Sequence, residues 1–250
     1  MDFQKQGLKE AIEIAKNLVI FTGSGVSAES GIPTFRGNEG YWAQFSPQQL
    51  ASEDGYLDHP DIVWKWYLER RQKALETRPN PAHSSFADMQ DFFEKVVIAT
   101  QNIDKLHQRA GSLDVLELHG SLFRSKCRNC ENVWDDENTK FTDDFHICPS
   151  CSSPRSVRPD VVWFGEPLPY NILQRAIKEA EDADIFIVAG TSAVVYPAAQ
   201  LPYIAKQHMA FLIEINTEPT PITSIADLTL RGKAGEILPK LVDVIRNIRR

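Results

Sequence analysis

The chain has 250 residues, 42% hydrophobic and 24% charged, with no low-complexity tract or internal repeat, as suits one globular domain or a domain carrying a small insertion. Its 34 acidic and 27 basic side chains leave a net charge of −7, which disfavours general binding to a nucleic-acid backbone and suits a cationic, lysine-containing partner better. The start, Met1-Asp2-Phe3-Gln4-Lys5, lacks the basic and apolar regions of a secretory leader, and runs such as Ile185 to Ala189 are too short to span a bilayer, so a cytoplasmic protein with no membrane partner is expected.

Apolar residues at helical spacing over 5–16 (Leu8, Ala11, Ile12, Ile14, Ala15) lead into Leu18-Val19-Ile20-Phe21, which reads as a buried strand. Residues 37–80 hold no strand pattern and contain Trp42, Trp64, Trp66 and Tyr67, which predicts a helical insertion. A helix over 82–93 precedes the strand Val96-Val97-Ile98-Ala99, and a helix over 103–110 precedes Val115-Leu116-Glu117-Leu118. Residues 124–159 carry all four cysteines in a polar setting. Helices over 171–182, 197–207 and 235–248 then alternate with strands at Ile185-Phe186-Ile187-Val188, Phe211-Leu212-Ile213-Glu214-Ile215 and, more weakly, Leu228-Thr229-Leu230. Continuous apolar strands alternating with helices predict a doubly wound α/β fold, a parallel sheet covered on both faces. Residues 1–36, 81–123 and 160–250 would form that main domain, and 37–80 with 124–159 a smaller one. A ligand cleft is expected between them.

Cys127-Arg-Asn-Cys130 and Cys148-Pro-Ser-Cys151 form two C-x2-C pairs. Each pair turns two thiolates toward one point, and two pairs complete a tetrahedral zinc site; a disulfide pair and a redox C-x-x-C compete with this reading. A four-thiolate zinc is coordinatively closed, so its role would be structural.

Directly after the first strand comes Thr22-Gly23-Ser24-Gly25-Val26-Ser27-Ala28-Glu29-Ser30-Gly31. Glycines between a strand and a helix start let the backbone approach a phosphate, although a tight turn with no ligand would look the same. Four more polar clusters fall at strand ends: Thr100-Gln101-Asn102-Ile103-Asp104, His119-Gly120, Gly190-Thr191-Ser192 and Asn216-Thr217. The carboxyl ends of strands form the binding crevice of open α/β sheets. A lone strand-end histidine is more often structural than catalytic. His119 stands out because its company is polar and its pKa lies near working pH.

These motifs, in this order, resemble the sirtuin family. The similarity is carried by Gly23 through Arg36 (GSGVSAESGIPTFR), Thr100 through Asp104, His119-Gly120, the four cysteines, Val161-Val162-Trp163-Phe164-Gly165-Glu166, Gly190-Thr191-Ser192, Asn216 and Gly232-Lys233-Ala234, from about residue 20 to 235. Ser24 departs from the family's usual alanine, and a small residue still fits there. The resemblance implies an NAD-binding lobe and a smaller lobe of helices and one structural zinc, with acyl-lysine entering between them. Gly23, Ser24, Gly25, Thr191, Ser192 and Asn216 would hold the pyrophosphate and adenosine side, with Ala234 near the adenine. Phe35, Arg36, Gln101, Asn102 and Asp104 would surround the nicotinamide and its ribose, and Ser27, Ala28, Glu29, Ile103 and Gly190 complete the implied cofactor set. Val162, Phe164, Gly165 and Val194 would line the substrate backbone. Asn102 and Asp104 would hold the carboxamide for departure and His119 would act as general base on a ribose hydroxyl. The products would be free lysine, nicotinamide and O-acyl-ADP-ribose.

Tyr67 and Arg70 match the Tyr-x-x-Arg pair of the family branch that removes succinyl and malonyl groups, and their spacing lets them face the same way on a helix. The competing reading is a packed tyrosine beside a solvated arginine. The expectation is a monomeric NAD-dependent deacylase of acyl-lysine proteins, removing succinyl or malonyl as well as acetyl groups. Protein ADP-ribosyltransfer and a non-catalytic NAD-binding module are the alternatives.

Overall fold

The computed structural model of the protein describes residues 7–34, 46–136, 147–154 and 156–249. Six strands form one sheet: β1 (Asn17–Thr22), β2 (Lys95–Thr100), β3 (Val115–Glu117), β7 (Ile185–Ala189), β8 (Phe211–Asn216) and β9 (Leu228–Arg231). Their order is β3-β2-β1-β7-β8-β9, and every pairing is parallel. All six strands read from the sequence are present, and the sheet is doubly wound as expected.

Strand geometry explains the unbroken apolar runs. Successive side chains point to opposite faces. Leu18 and Ile20 therefore enter one core layer, against α1 (Leu8–Ile14), α6 (Pro81–Asp88) and α10 (Ala234–Arg249). Val19 and Phe21 enter the other, against α8 (Tyr170–Glu181) and α9 (Leu201–Gln207). Burial on both faces requires apolar residues at every position, so the strands carry no polar alternation.

Two excursions leave this sheet. The helical one contains α3 (Pro47–Leu50), α4 (Glu53–Asp58) and α5 (Pro60–Glu76); residues 37–45 of the expected insertion lie outside the described residues. The cysteine-bearing one contains strands, where the sequence shows only four cysteines in a polar setting. It is built on an antiparallel three-stranded sheet, β5-β4-β6, from β4 (Gly120–Cys127), β5 (Val133–Asp135) and β6 (Val157–Val161). Its strands escape a search for apolar runs because charged and hydroxyl residues occupy much of β4 and β6. The domain limits read from the sequence at 123/124 and 159/160 fall inside β4 and β6, so the second sheet grows out of the edge of the crevice without a linker. Between the sheets and α5 lie Trp66, Tyr67, Phe123, Val161 and Trp163. Trp64 and Leu68 pack with Cys127 and Cys148.

A buried ion pair bolts α5 to this second sheet. Arg71 Nη1 lies 2.8 Å from Asp136 Oδ2, with side chains only 1% and 2% exposed, and Ser125 Oγ of β4 donates to the same carboxylate at 2.5 Å. Removing one partner of such a pair strands an uncompensated charge, a larger loss than the pair's net worth. We expect Asp136→Ala to lower unfolding free energy by about 3 kcal/mol or more, measured by urea denaturation; a loss below about 1 kcal/mol would show that the pair does not hold α5 in place.

Candidate active site

The sheet reverses its winding between β1 and β7: β2 and β3 lie to one side of β1, β7 to β9 to the other. At such a switch point the loops leaving neighbouring strands diverge and open a crevice at their carboxyl ends. Here the two loops first touch. Gly25 N donates to Gly190 O at 2.8 Å and Gly23 N to Ala189 O at 3.2 Å. A Cβ on Gly25 would lie 2.7 Å from Gly190 O, and one on Gly190, whose φ is +57°, would lie 2.5 Å from Val26 N. Both glycines are therefore required by backbone contact across the switch. That contact seats α2 (Ser24–Ala28) against the end of β7.

The polar strand ends brace one another. Thr22 and Thr100, paired across β1 and β2, share a hydrogen bond of 2.8 Å, and His107 Nε2 lies 2.9 Å from Thr22 Oγ1. Gln101 Nε2 donates to Thr191 Oγ1 at 2.8 Å, and Asn216 Nδ2 to Thr191 O at 2.7 Å, so β2, β7 and β8 are tied at one level. Asn102 Nδ2 donates to Gly23 O and to Ser27 Oγ, each at 3.1 Å. Ser27 Oγ donates to Asp104 Oδ2 at 2.7 Å, and Leu106 N to Asp104 Oδ1 at 2.9 Å. Burial raises the Asp104 carboxyl above its ordinary value against the pull of these donors.

His119 sits where β3 gives way to β4. Its Nδ1 lies 3.1 Å from Gln101 O. A carbonyl can only accept, so Nδ1 carries the proton and a neutral ring presents Nε2 as a lone pair. Burial lowers the ring's pKa below 6.5, and the carbonyl only partly opposes this. At neutral pH the imidazole is in its basic form.

These groups face a cleft of about 720 Å³ between the main sheet and the second sheet with its helices. Of the residues read from the sequence, Gly23, Ser24, Gly25, Gln101, Asn102, Ile103, His119, Gly190, Thr191, Ser192 and Asn216 line it, as do Tyr67, Arg70, Val162, Phe164 and Val194. Ser27 and Asp104 line a smaller recess that shares Ser24, Arg70, Asn102 and Ile103 with the cleft. Gly165 sits beside Phe164 in left-handed backbone, φ +89°. Three cofactor assignments stand off from the lining. Ala28 lies at the end of α2, and Glu29 Oε2 accepts from Gly235 N at 2.7 Å, which ties the glycine loop to the start of α10 at Ala234. Phe35 and Arg36 fall outside the described residues.

Sequence reasoning missed several contributors. Among them, Trp66 and Trp163 line the cleft beside Tyr67, and Glu218 through Pro221 extend its wall beyond β8. The aromatic density of 63–67 was the only sign of the first. For the wall the signal was buried Glu214 on β8, which accepts from Thr220 and Thr223 and pairs with Arg231 at 2.9 Å.

The four cysteine sulfurs lie within 4.8 Å of one another. Cys127 and Cys151 Sγ are 3.7 Å apart, Cys130 and Cys148 Sγ 3.6 Å. A zinc tetrahedron with Zn–S bonds of about 2.3 Å has sulfur edges of about 3.8 Å, whereas a disulfide needs about 2.05 Å. Asn129 N and Ser150 N donate to Cys127 and Cys148 Sγ at 3.3 and 3.4 Å, stabilising thiolate character inside each turn. One structural zinc fits the set.

The model of the Sir2 family matches residues 23–197. NAD-dependent protein deacylase 1 of Archaeoglobus fulgidus is 48% identical over 239 residues, 96% of this chain and 97% of that protein. A mutant Sir2 homologue in complex with ADP-ribose superimposes with a TM-score of 0.92 at 47% identity, over 99% of this chain and 97% of that one. A Sir2 protein bound to a myristoylated histone peptide gives 0.78 at 40% identity, over 100% and 99%.

Metal analysis should find about one zinc per chain, and Cys130→Ser should lose it. Because β4 runs from Gly120, next to His119, to Cys127, stripping the zinc with a strong chelator should also collapse the near-UV signal of the tryptophans packed on β4 and β6. A chain that keeps its zinc as Cys130→Ser would contradict the four-sulfur site.

Proposed function

The chain belongs to the Sir2 family, and from that premise we propose how its residues share the work of deacylation and which acyl group they favour. The protein is an NAD-dependent protein-lysine deacylase. We assign residues 1–36, 81–123 and 160–250 to nucleotide binding and 37–80 with 124–159 to the smaller domain.

NAD, when bound, supplies a glycosidic bond to a cationic leaving group, whose cleavage develops oxocarbenium character at C1′. The protein's task is to place an acyl amide oxygen, a poor nucleophile, in line with that carbon. The glycine loop, Thr191, Ser192 and Asn216 form the nucleotide wall. Asn216 acts there through the main chain of Thr191, which its amide holds. Asn102 has both its Nδ2 protons occupied by Gly23 and Ser27, so it offers Oδ1 to a carboxamide N–H, and Asp104 offers its caged carboxyl beside it. His119 Nε2 would accept the proton of a ribose hydroxyl and so make that hydroxyl a nucleophile toward the acyl carbon. Val162, Phe164, Gly165 and Val194 flank the entering lysine, where an extended peptide can add to the exposed edge.

The acyl preference rests on one observation. Tyr67 and Arg70 line the same cleft as His119, on one face of α5. The Arg70 guanidinium is stacked 4.5 Å from the Trp66 ring centroid and 5.6 Å from that of Tyr67. Burial pushes the Tyr67 phenol up to about 12, so it remains a neutral donor. A guanidinium fork and a phenol side by side in that cleft match a carboxylate. The enzyme therefore prefers succinyl- or malonyl-lysine and retains deacetylase activity. Its place is the reducing cytoplasm, which keeps the zinc thiolates intact, and it acts as a monomer on acyl-lysine proteins.

Turnover of acetyl, succinyl and myristoyl versions of one peptide tests this. Arg70→Met should lower the succinyl-to-acetyl ratio of kcat/KM by about 10-fold or more, the worth of one charge-assisted hydrogen bond. A ratio left unchanged, or a wild type that turns over myristoyl-lysine best, would end the acidic-acyl reading.

The His119 environment makes a separate prediction. Its lowered pKa keeps the base neutral at pH 7, so kcat/KM should be level through neutrality and fall only below pH 6.5. An acid limb centred above 6.5 would exclude His119 as the titrating base.

A further inference from the structure

Trp163 has no part in the roles assigned above, yet it is among the largest fully buried side chains and lines the cleft. It is 1% exposed. Its ring is clasped by the Arg158 guanidinium, 3.9 Å from the ring centroid, and by the Tyr56 ring at 5.3 Å. Arg158 Nη2 is bound to Glu166 Oε1 at 2.5 Å, and the other oxygen of Glu166 accepts from Trp163 N at 2.8 Å. Ring and main chain are thus fastened by the same carboxylate, and the indole has one orientation. In it, Nε1 lies 3.0 Å from Tyr67 Oη.

The direction of that hydrogen bond follows from chemistry. An indole N–H can only donate, so the phenol oxygen must accept. Among the described residues the phenolic proton of Tyr67 meets no acceptor, although the ring is 3% exposed and lines the cleft. With its oxygen turned to the indole, the proton is left for whatever occupies the acyl channel.

We propose that Trp163 is a positioning residue for acyl selection: its Nε1–H fixes Tyr67 as a donor into the cleft, which favours acyl groups ending in a hydrogen-bond acceptor, a carboxylate above all, and disfavours ends that can only donate. This rests on the reading that Tyr67 and Arg70 meet the far end of the acyl group. Arg158 and Glu166 act one step further out, by holding the indole. The Tyr67 hydroxyl in a chain without the indole donor would be free to rotate, and its contact with the carboxylate would be made only part of the time.

The test is a double-mutant cycle on the succinyl-to-acetyl ratio of kcat/KM, which general damage to folding does not move. Trp163→Phe should lower the ratio by about five-fold and Tyr67→Phe by about ten-fold, as expected for loss of alignment and loss of a hydrogen bond to a charged group. In the Tyr67→Phe background, Trp163→Phe should have no further effect on the ratio, because the indole acts through the phenol. An unchanged ratio in Trp163→Phe alongside a lowered one in Tyr67→Phe would overturn the proposal and leave the acidic-acyl reading standing. An equal drop from Trp163→Phe in both backgrounds would overturn it as well. If neither Tyr67→Phe nor Arg70→Met moves the ratio, the acidic-acyl reading falls and this inference with it. Should Trp163→Phe fail to fold, Arg158→Lys, which keeps the charge on Glu166 but loses the flat stacking face, should lower the ratio in the same direction by a smaller factor. No change there would likewise sink the proposal.

Discussion

Two glycines that meet across the switch point of the main sheet set the terms for everything around them. Gly25 N reaches Gly190 O at 2.8 Å, and a methyl group on either residue would run into main-chain atoms of the other loop. With the backbones this close, the loop after β1 folds back over the end of β7, and Ser24 and Thr191 come to lie on one wall. The crevice belongs to the topology; its narrowness at this point belongs to the missing side chains. The hydrogen bonds from Gln101 and Asn216 to Thr191 then hold β2 and β8 at the same level. A wider contact would separate Thr191 from Asn102, whose amide is anchored on Gly23 O.

The opposite wall depends on α5, which serves two masters through adjacent residues. Consecutive helical positions point about 100° apart. Arg71 turns into the second sheet and is neutralised by Asp136, while Arg70 turns to the cleft and stacks on Trp66. The first arginine is fixed by burial and charge pairing, and the second is positioned as a result. Zinc enters at the same place, because Trp64 and Leu68 of α5 pack against Cys127 and Cys148. A metal centre with no open coordination position can in this way govern the geometry of a cleft wall it never touches.

His119 joins the two halves. It follows β3 of the main sheet and precedes β4 of the second, and it leans on Gln101 O at the end of β2. Gly120 makes the turn possible: its φ of +77° and the 2.0 Å that would separate a Cβ from Asp160 O admit no other residue without movement. The tautomer of the ring is therefore decided by backbone at the end of the neighbouring strand. That is why a histidine of ordinary type acquires a defined Nε2 lone pair here.

Much of this was legible in the sequence. Buried parallel strands must be apolar at every position, so β1, β2, β7 and β8 announced themselves, and the spacing of Cys127, Cys130, Cys148 and Cys151 is tied to the metal's own geometry. The glycine loop, Asn102, His119 and Thr191 could be found because several polar clusters fall together at the carboxyl ends of strands, where open α/β sheets bind ligands, and follow the order of the family's motifs. The sheet formed by β4, β5 and β6 stayed hidden, since its stability comes from α5, a buried ion pair and the cysteine turns, none of which leaves a periodic apolar signature. Likewise, sequence placed Tyr67 and Arg70 on one helical face but could not say that the face turns to the cleft, nor that Asn216 and Gln101 brace Thr191. Chain order and residue type determined which elements would form and which chemistry was present. Tertiary structure alone decided that the Trp163 indole meets the Tyr67 phenol and which nitrogen of His119 carries the proton, because both depend on a partner distant in sequence.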